Sequence, residues 1–220
     1  MEALTCLGSG RDADVFAIDA RRVLRRYRDG GDVGAEATLM AYVAGHGFPT
    51  PAVYEARGAD LIMERLYGHT MLSAFAAGEL DVAGAASLLA DLHHRLHALP
   101  PRLNSHGGVR VLHLDLHPEN VILTPRGPVV IDWRNAVEGR PDLDVAMTAV
   151  ILAEVAVDET QPMAPAAASL VRAFLDRVGG DPLSALEEAV ARRRADPALA
   201  GGDGERLDAT VALIAGLEKT

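Results

Sequence analysis

The run HLDLHPENVIL, His113 to Leu123, followed by VVIDW, Val129 to Trp133, constrains this chain more than any other feature. Two apolar stretches, Asn120–Leu123 and Val129–Ile131, flank Thr124-Pro125-Arg126-Gly127. Proline and glycine there suit a tight turn, so a β-hairpin is expected. It would bring Asp132 back beside Asn120, with Asp115 five residues before the asparagine. Phosphoryl transfer needs such a set. One carboxylate orients and deprotonates an attacking hydroxyl; a second carboxylate and an amide oxygen hold Mg²⁺ against nucleotide phosphates. Asp115 fits the first role, Asn120 and Asp132 the second. Each residue alone fits a polar loop capping a hairpin better; order, spacing and hairpin together favour the chemistry.

The first third of the chain reads as strands with one helix. Val15, Phe16 and Ile18 lie in a β-like run, and Val23 to Tyr27 form another, closed by Asp29, Gly30 and Gly31. Residues 34–44 read as a helix, with Ala35, Leu39 and Val43 at helical spacing and Gly45 as a stop. Ala52–Ala56 and Leu61–Glu64 read as strands joined at Arg57-Gly58. The remainder is mainly helical. Leu88, Leu92, Leu96 and Leu99 mark one helix face that Pro100 and Pro101 terminate. Three or four helices are expected over 142–220, broken at Gly179-Gly180 and Gly201-Gly202. A boundary falls near 65–70, where Gly68 suits a hinge.

H-x-D-x-x-x-x-N, then an apolar strand and aspartate, resembles the catalytic loop and metal motif of kinases. Its local form, HLDLHPEN with IDW, resembles the aminoglycoside phosphotransferase and choline kinase branch. That resemblance implies an α+β, two-lobed protein-kinase-like fold. Residues 1–66 would form a nucleotide-binding lobe with a small antiparallel sheet; residues 67–220 would form a mainly helical catalytic and substrate lobe. ATP, or GTP, would bind between the lobes with Mg²⁺.

Within that resemblance further segments gain roles. Gly8-Ser9-Gly10 ahead of Val15 resembles a loop whose backbone N–H groups cover phosphates, with Ala13 in place of a third glycine. Arg25, sharing a strand face with Val23 and Tyr27, stands nearest the lysine that contacts the α- and β-phosphates. Glu36, on the helix face of Met40 and Val43, is its expected partner; the alternative is solvated charge. Arginine is forked and always charged, so it does not simply replace lysine. Arg26 points the other way. Met63 would line a base pocket, and the backbone from Glu64 to Leu66 would bond adenine. His113 is expected to hold the loop through a backbone hydrogen bond, whereas His117 lies near the phosphates or packs within the loop. One of Asp142 and Asp144 would brace the loop, with helix capping as the rival role of Asp142. Trp133 and Arg134 replace phenylalanine and glycine, so protein-kinase switching is not implied.

Composition narrows the rest. At 49% apolar the chain can bury a core, and Cys6, its single cysteine, has no intrachain partner. The longest apolar run, Val145 to Val157, is too short to span a bilayer and contains Glu154. Nothing at the N-terminus resembles a signal peptide, so a cytoplasmic protein is expected. A net charge of −10 argues against nucleic acid as a partner. It suits a cationic hydroxylated small molecule, an aminoglycoside-like compound or another amino alcohol or sugar, and it equally serves solubility. Three rivals stay open: a metabolite kinase unrelated to antibiotics, a regulatory protein that binds nucleotide without transferring phosphate, and a protein kinase, against which stands the absence of an evident activation segment in the sequence.

Overall fold

The computed structural model describes residues 4–103, 107–196 and 204–217. In chain order the strands are β1 (Thr5–Ser9), β2 (Ala13–Ala17), β3 (Arg22–Tyr27), β4 (Val53–Arg57), β5 (Asp60–Glu64), β6 (His69–Thr70), β7 (Arg110–Leu112), β8 (Val121–Thr124), β9 (Gly127–Val130) and β10 (Val137–Gly139). The helices are α1 (Gly34–Gly45), α2 (Met71–Ala76), α3 (Val82–His97), α4 (Pro141–Ala156), α5 (Ala164–Val178), α6 (Leu186–Arg194) and α7 (Gly204–Leu217). They fall into two compact units, Met1–His69 with Ile122–Arg134, and Thr70–Val121 with Asn135–Thr220. The fold is α+β. Among the described residues no helix is long and apolar enough to cross a membrane.

The first unit is built on an antiparallel sheet in the order β1-β2-β3-β5-β4. Val23 and Tyr27, the second and sixth residues of β3, are buried with Arg25 midway between them. Leu39, Met40 and Val43 of α1 and Leu61 of β5 complete this core. Each fully buried side chain of this size contributes about 1.5–3 kcal/mol. The β4–β5 turn is Gly58-Ala59, one residue beyond the expected position, closed by the pair Arg57↔Asp60. Gly58 takes the positive φ of +57° that the first position of this two-residue turn demands. The glycine segment expected as a loop before a strand is itself half strand: Gly8 and Ser9 lie in β1, and Gly10 starts the turn to β2.

The hairpin β8–β9 forms as the sequence predicts, with two corrections. Asn120 lies not in the strand but at the end of a 3-10 turn, Pro118–Asn120, because Pro118 pre-sets a helical φ at its start. Gly127, expected in the turn, opens β9 with φ +108°. The close approach in this unit is at Gly68: a Cβ there would lie 2.0 Å from the Leu123 carbonyl oxygen.

In the second unit α4 is the hub. Every residue from Leu143 to Glu154 is buried, and α5, α6 and α7 pack around it. A helix covered on all sides needs no polar face. Its buried Glu154 is answered by Arg193 of α6, which donates from Nε at 2.9 Å and Nη2 at 2.8 Å to Oε2. Helix α3 starts at Asp81, whose carboxylate accepts from the Gly84 N–H at 2.7 Å, and ends two residues before Leu99. Gly179 and Gly180, with φ of +68° and +79°, stop α5. The second expected break, Gly201-Gly202, lies outside the described residues. The short β6, α2, β7 and β10 carry too few residues for a periodic signal.

Candidate active site

The structure gathers the sequence candidates into two groups, one in each unit. In the first unit Arg25 is 8% exposed on β3. Its Nη1 donates to Glu36 Oε1 at 3.3 Å and its Nη2 to Asp132 Oδ1 at 2.5 Å. Tyr27, two residues along the same face, donates its hydroxyl to Glu36 Oε2 at 2.7 Å. Burial pushes the Glu36 carboxyl up, against the pull of Arg25 and Tyr27. Burial also works against the Arg25 charge, but Asp132, Tyr27 and Glu36 outweigh it and hold the guanidinium more firmly protonated than usual. Arg26 points the other way, as expected, to Asp60 at 2.6 Å.

Asp132 follows β9 in a left-handed conformation, φ +66°. For a non-glycine residue this costs of order 1–3 kcal/mol, a strain that collects at functional positions. Trp133 fixes the chain beyond it: it is 1% exposed, donates Nε1–H to the Val130 carbonyl at 3.1 Å, and meets Phe48 edge-to-face. Arg134 then turns back to Asp29 and lies 4.6 Å from the Tyr27 ring centre, as Arg25 does at 4.8 Å.

The β1–β2 turn is tied by Arg28, whose Nη1 donates to Asp14 at 2.6 Å and Nη2 to the Gly10 carbonyl at 2.6 Å. Ser9 donates to Asp14 at 2.6 Å. A Cβ at Gly8 would meet nothing within 4 Å, and neither Gly8 nor Gly10 has a positive φ. Packing and backbone conformation therefore leave these glycines unexplained. In β5, Met63 is half-buried. The Glu64 N–H donates to the Ala52 carbonyl at 2.8 Å, the Arg65 N–H to the Arg21 carbonyl at 2.8 Å, and the Glu64 carboxylate pairs with Arg126 at 2.7 Å. Of the expected base-binding stretch, Leu66 is the first residue beyond these bonds.

The second unit holds Asp115, His117 and Asn120 together. Asn120 Nδ2 donates to the Asp115 carbonyl at 2.8 Å, to Asp115 Oδ2 at 3.1 Å and toward His117 Nε2 at 3.1 Å. Its amide oxygen is thereby turned away from Asp115. His113 is fully buried and its Nδ1 accepts from the Asp115 N–H at 3.3 Å, the loop-holding role expected of it. Leu114, just before Asp115, has φ +62°; it and Asp132 are the non-glycine residues with positive φ among those described. The strained peptide is held by Asp144, whose Oδ1 accepts from the N–H groups of His113 at 3.1 Å and Leu114 at 2.6 Å. Asp144 is the brace. Asp142 caps nothing, because Arg140 is the cap residue; its carboxylate accepts from the Asp181 N–H at 2.9 Å. Burial would raise the Asp144 carboxyl, but hydrogen bonding with His97 Nε2 at 2.9 Å helps to hold it below the usual carboxylate range.

A carboxylate and an amide oxygen, Asp132 and Asn120 Oδ1, are hard donors of the kind Mg²⁺ takes. This donor chemistry fits the ion. The sequence also matches a family profile, that of the phosphotransferase enzyme family, over residues 4–106 and 79–186. The chain belongs to this family.

Solved structures agree on the kinase-like fold. The gentamicin complex of aminoglycoside phosphotransferase APH(2")-IIa aligns with TM-score 0.61 at 15% identity, over 100% of this chain and 92% of that one. A choline/ethanolamine kinase family protein from Mesorhizobium loti aligns with TM-score 0.60 at 16% identity, over 99% and 88%. A thermostable APH(4)-Ia mutant in complex with AMP-PNP and hygromycin B aligns with TM-score 0.57 at 18% identity, over 98% and 95%. No curated protein matches the sequence. The chain is a small-molecule phosphotransferase.

For this phosphotransferase, sequence reasoning missed Tyr27, Arg28 and Arg134. The position of Tyr27, on the face of Arg25, was the available signal. Arg28 and Arg134 had none, because their partners Asp14 and Asp29 lie 14 and 105 residues away.

Proposed function

We propose that this phosphotransferase moves the γ-phosphate of ATP to a hydroxyl of a cationic small molecule, an aminoglycoside-like compound or another amino alcohol or sugar. The observation that carries the proposal is Arg25, a buried guanidinium held by Glu36 and Asp132. Asp115 orients the acceptor hydroxyl and takes its proton as the oxygen attacks phosphorus. Arg25 supplies fixed positive charge to the phosphates, and the backbone of Gly8, Ser9 and Gly10 covers them. Met63 and the backbone of Glu64 and Leu66 receive the base. Asn120 and Asp132 would hold Mg²⁺, which when bound neutralises phosphate charge. The gentamicin, hygromycin B and AMP-PNP held by the structural neighbours support a hydroxylated amine and an adenine nucleotide as the two substrates. The net charge of −10 favours the cation.

The test is phosphate transfer from ATP, and from GTP, to matched cationic, neutral and anionic alcohols across ionic strength. A cationic acceptor with the highest kcat/KM at low salt, falling as salt rises, is the expected result. A neutral or anionic winner rejects the cationic acceptor and leaves phosphotransfer standing. One observation favours a second reading. Arg25 takes Asp132 Oδ1, one of the two carboxylate oxygens that a metal could use, as suits a nucleotide-binding regulator. Mg·ATP binding without turnover over the whole panel would select that reading.

A further inference from the structure

We propose that His93 Nδ1, His97 Nε2 and Asp144 Oδ2 form a binding site for a zinc-like divalent transition-metal ion, separate from the Mg²⁺ donors of the transfer reaction. His93 and His97 are four residues apart on α3, so their rings stand on one helix face. Asp144, in the first turn of α4, faces both. His97 Nε2 lies 2.9 Å and His93 Nδ1 3.5 Å from Asp144 Oδ2, and the three donor atoms lie within 4.8 Å of one another. Tetrahedral zinc with bonds of about 2.0–2.1 Å sets its donors roughly 3.3 Å apart.

The state of His93 is what points to a ligand. Thr148 spends its hydroxyl proton on the Leu116 carbonyl at 2.7 Å, so toward His93 it acts as an acceptor. His93 therefore carries its proton on Nε2, which donates to Thr148 Oγ1 at 3.0 Å. Its Nδ1 is left as a lone pair, fully buried, without a hydrogen-bond partner and turned toward a carboxylate oxygen. Two lone pairs facing each other away from water are unfavourable unless a cation lies between them.

The surroundings are those of a built site. Asp144 commits Oδ1 to two backbone N–H groups, leaving Oδ2 for the ion. Thr148 sets the tautomer and orientation of the His93 ring, the supporting role that ligand histidines generally need. Two imidazoles and one carboxylate select Zn²⁺, Co²⁺, Ni²⁺ or Cu²⁺ over Mg²⁺ and Ca²⁺, which prefer shells of oxygen. Binding requires His97 to carry its remaining proton on Nδ1, so the proton leaving Nε2 has a place on the same ring. The His97 side chain, 12% exposed, is the way in. Once bound, the ion would hold Asp144 and, through it, the strained Leu114 peptide next to Asp115.

The test uses the metal-stripped full chain titrated with Co²⁺ alone, read by visible d–d absorption. Bands of tetrahedral intensity saturating at one equivalent, then bleached by Zn²⁺, are expected. His93→Gln and His97→Gln should lose them, and H46Q, altered at an exposed histidine, should keep them. Nitrogen NMR of the unsubstituted protein guards against misfolding of the variants: Zn²⁺ should shift His93 Nδ1 strongly. No bands at one equivalent, bands surviving in both variants, or a His93 Nδ1 that carries a proton and does not move with Zn²⁺ would each overturn the site.

Discussion

Arg25 Nη2 donates to Asp132 Oδ1 at 2.5 Å across 107 residues of sequence, while Nη1 of the same guanidinium donates to Glu36. One buried cation thus ties a strand, a helix and the residue after a hairpin. Lysine, with a single ammonium, lacks the fork that makes both contacts in one plane.

Removing Arg25 leaves the buried Glu36 carboxylate without its cation, at about 3–5 kcal/mol, whereas removing Glu36 leaves Arg25 paired with Asp132. Arg25→Ala should therefore lower stability in urea and raise KM for ATP, and Glu36→Ala should do the same less strongly because Arg25 keeps Asp132 and only the Tyr27 hydroxyl loses its acceptor. The double variant should be less impaired than the sum of the two. Additive effects would show that the residues act separately.

Asp132→Ala should weaken Mg·ATP binding and abolish turnover without unfolding the chain, since the Asp132 side chain is 36% exposed. Calorimetric titration with ATP, with and without Mg²⁺, measures this. An affinity that is unchanged in Mg²⁺, with turnover retained, rejects Asp132 as a metal ligand.

Asp115→Asn should keep nucleotide affinity and lose roughly 10²–10⁴-fold in kcat, the usual worth of a positioned base. A variant that turns over at the parent rate would remove Asp115 from the chemistry.

Asp144→Ala frees the N–H groups of His113 and Leu114, each a buried donor worth about 1–3 kcal/mol when unmatched. The urea midpoint should fall and kcat should drop with it, because the released peptide carries Asp115. Parent-like kcat in the folded fraction would mean that Leu114 keeps its left-handed backbone without the brace.

Gly68→Ala places a methyl 2.0 Å from the Leu123 carbonyl oxygen, and the obstacle is backbone that does not rotate away. A loss of about 1–3 kcal/mol is expected from such overpacking. An unchanged thermal midpoint would show that β8 shifts freely.

Local order determined what the sequence could tell. The hairpin β8–β9, the helix α1 and the spacing of Asp115, Asn120 and Asp132 depend on residues close in the chain, where turn chemistry and periodicity act directly. The α+β fold and the kinase-like family were legible from that one segment. Strand alternation placed Arg25 on the face of Tyr27, and the need of a buried carboxylate suggested Glu36. Tertiary structure decided the rest. It alone brought Asp132 to Arg25, chose Asp144 over Asp142 as the brace, and set His93 and His97 against Asp144. Those meetings depend on how α1 lies on the sheet and α3 on α4. Such packing is settled by the fit of many side chains distant in sequence, and no local pattern encodes which of several carboxylates ends up facing a given cation.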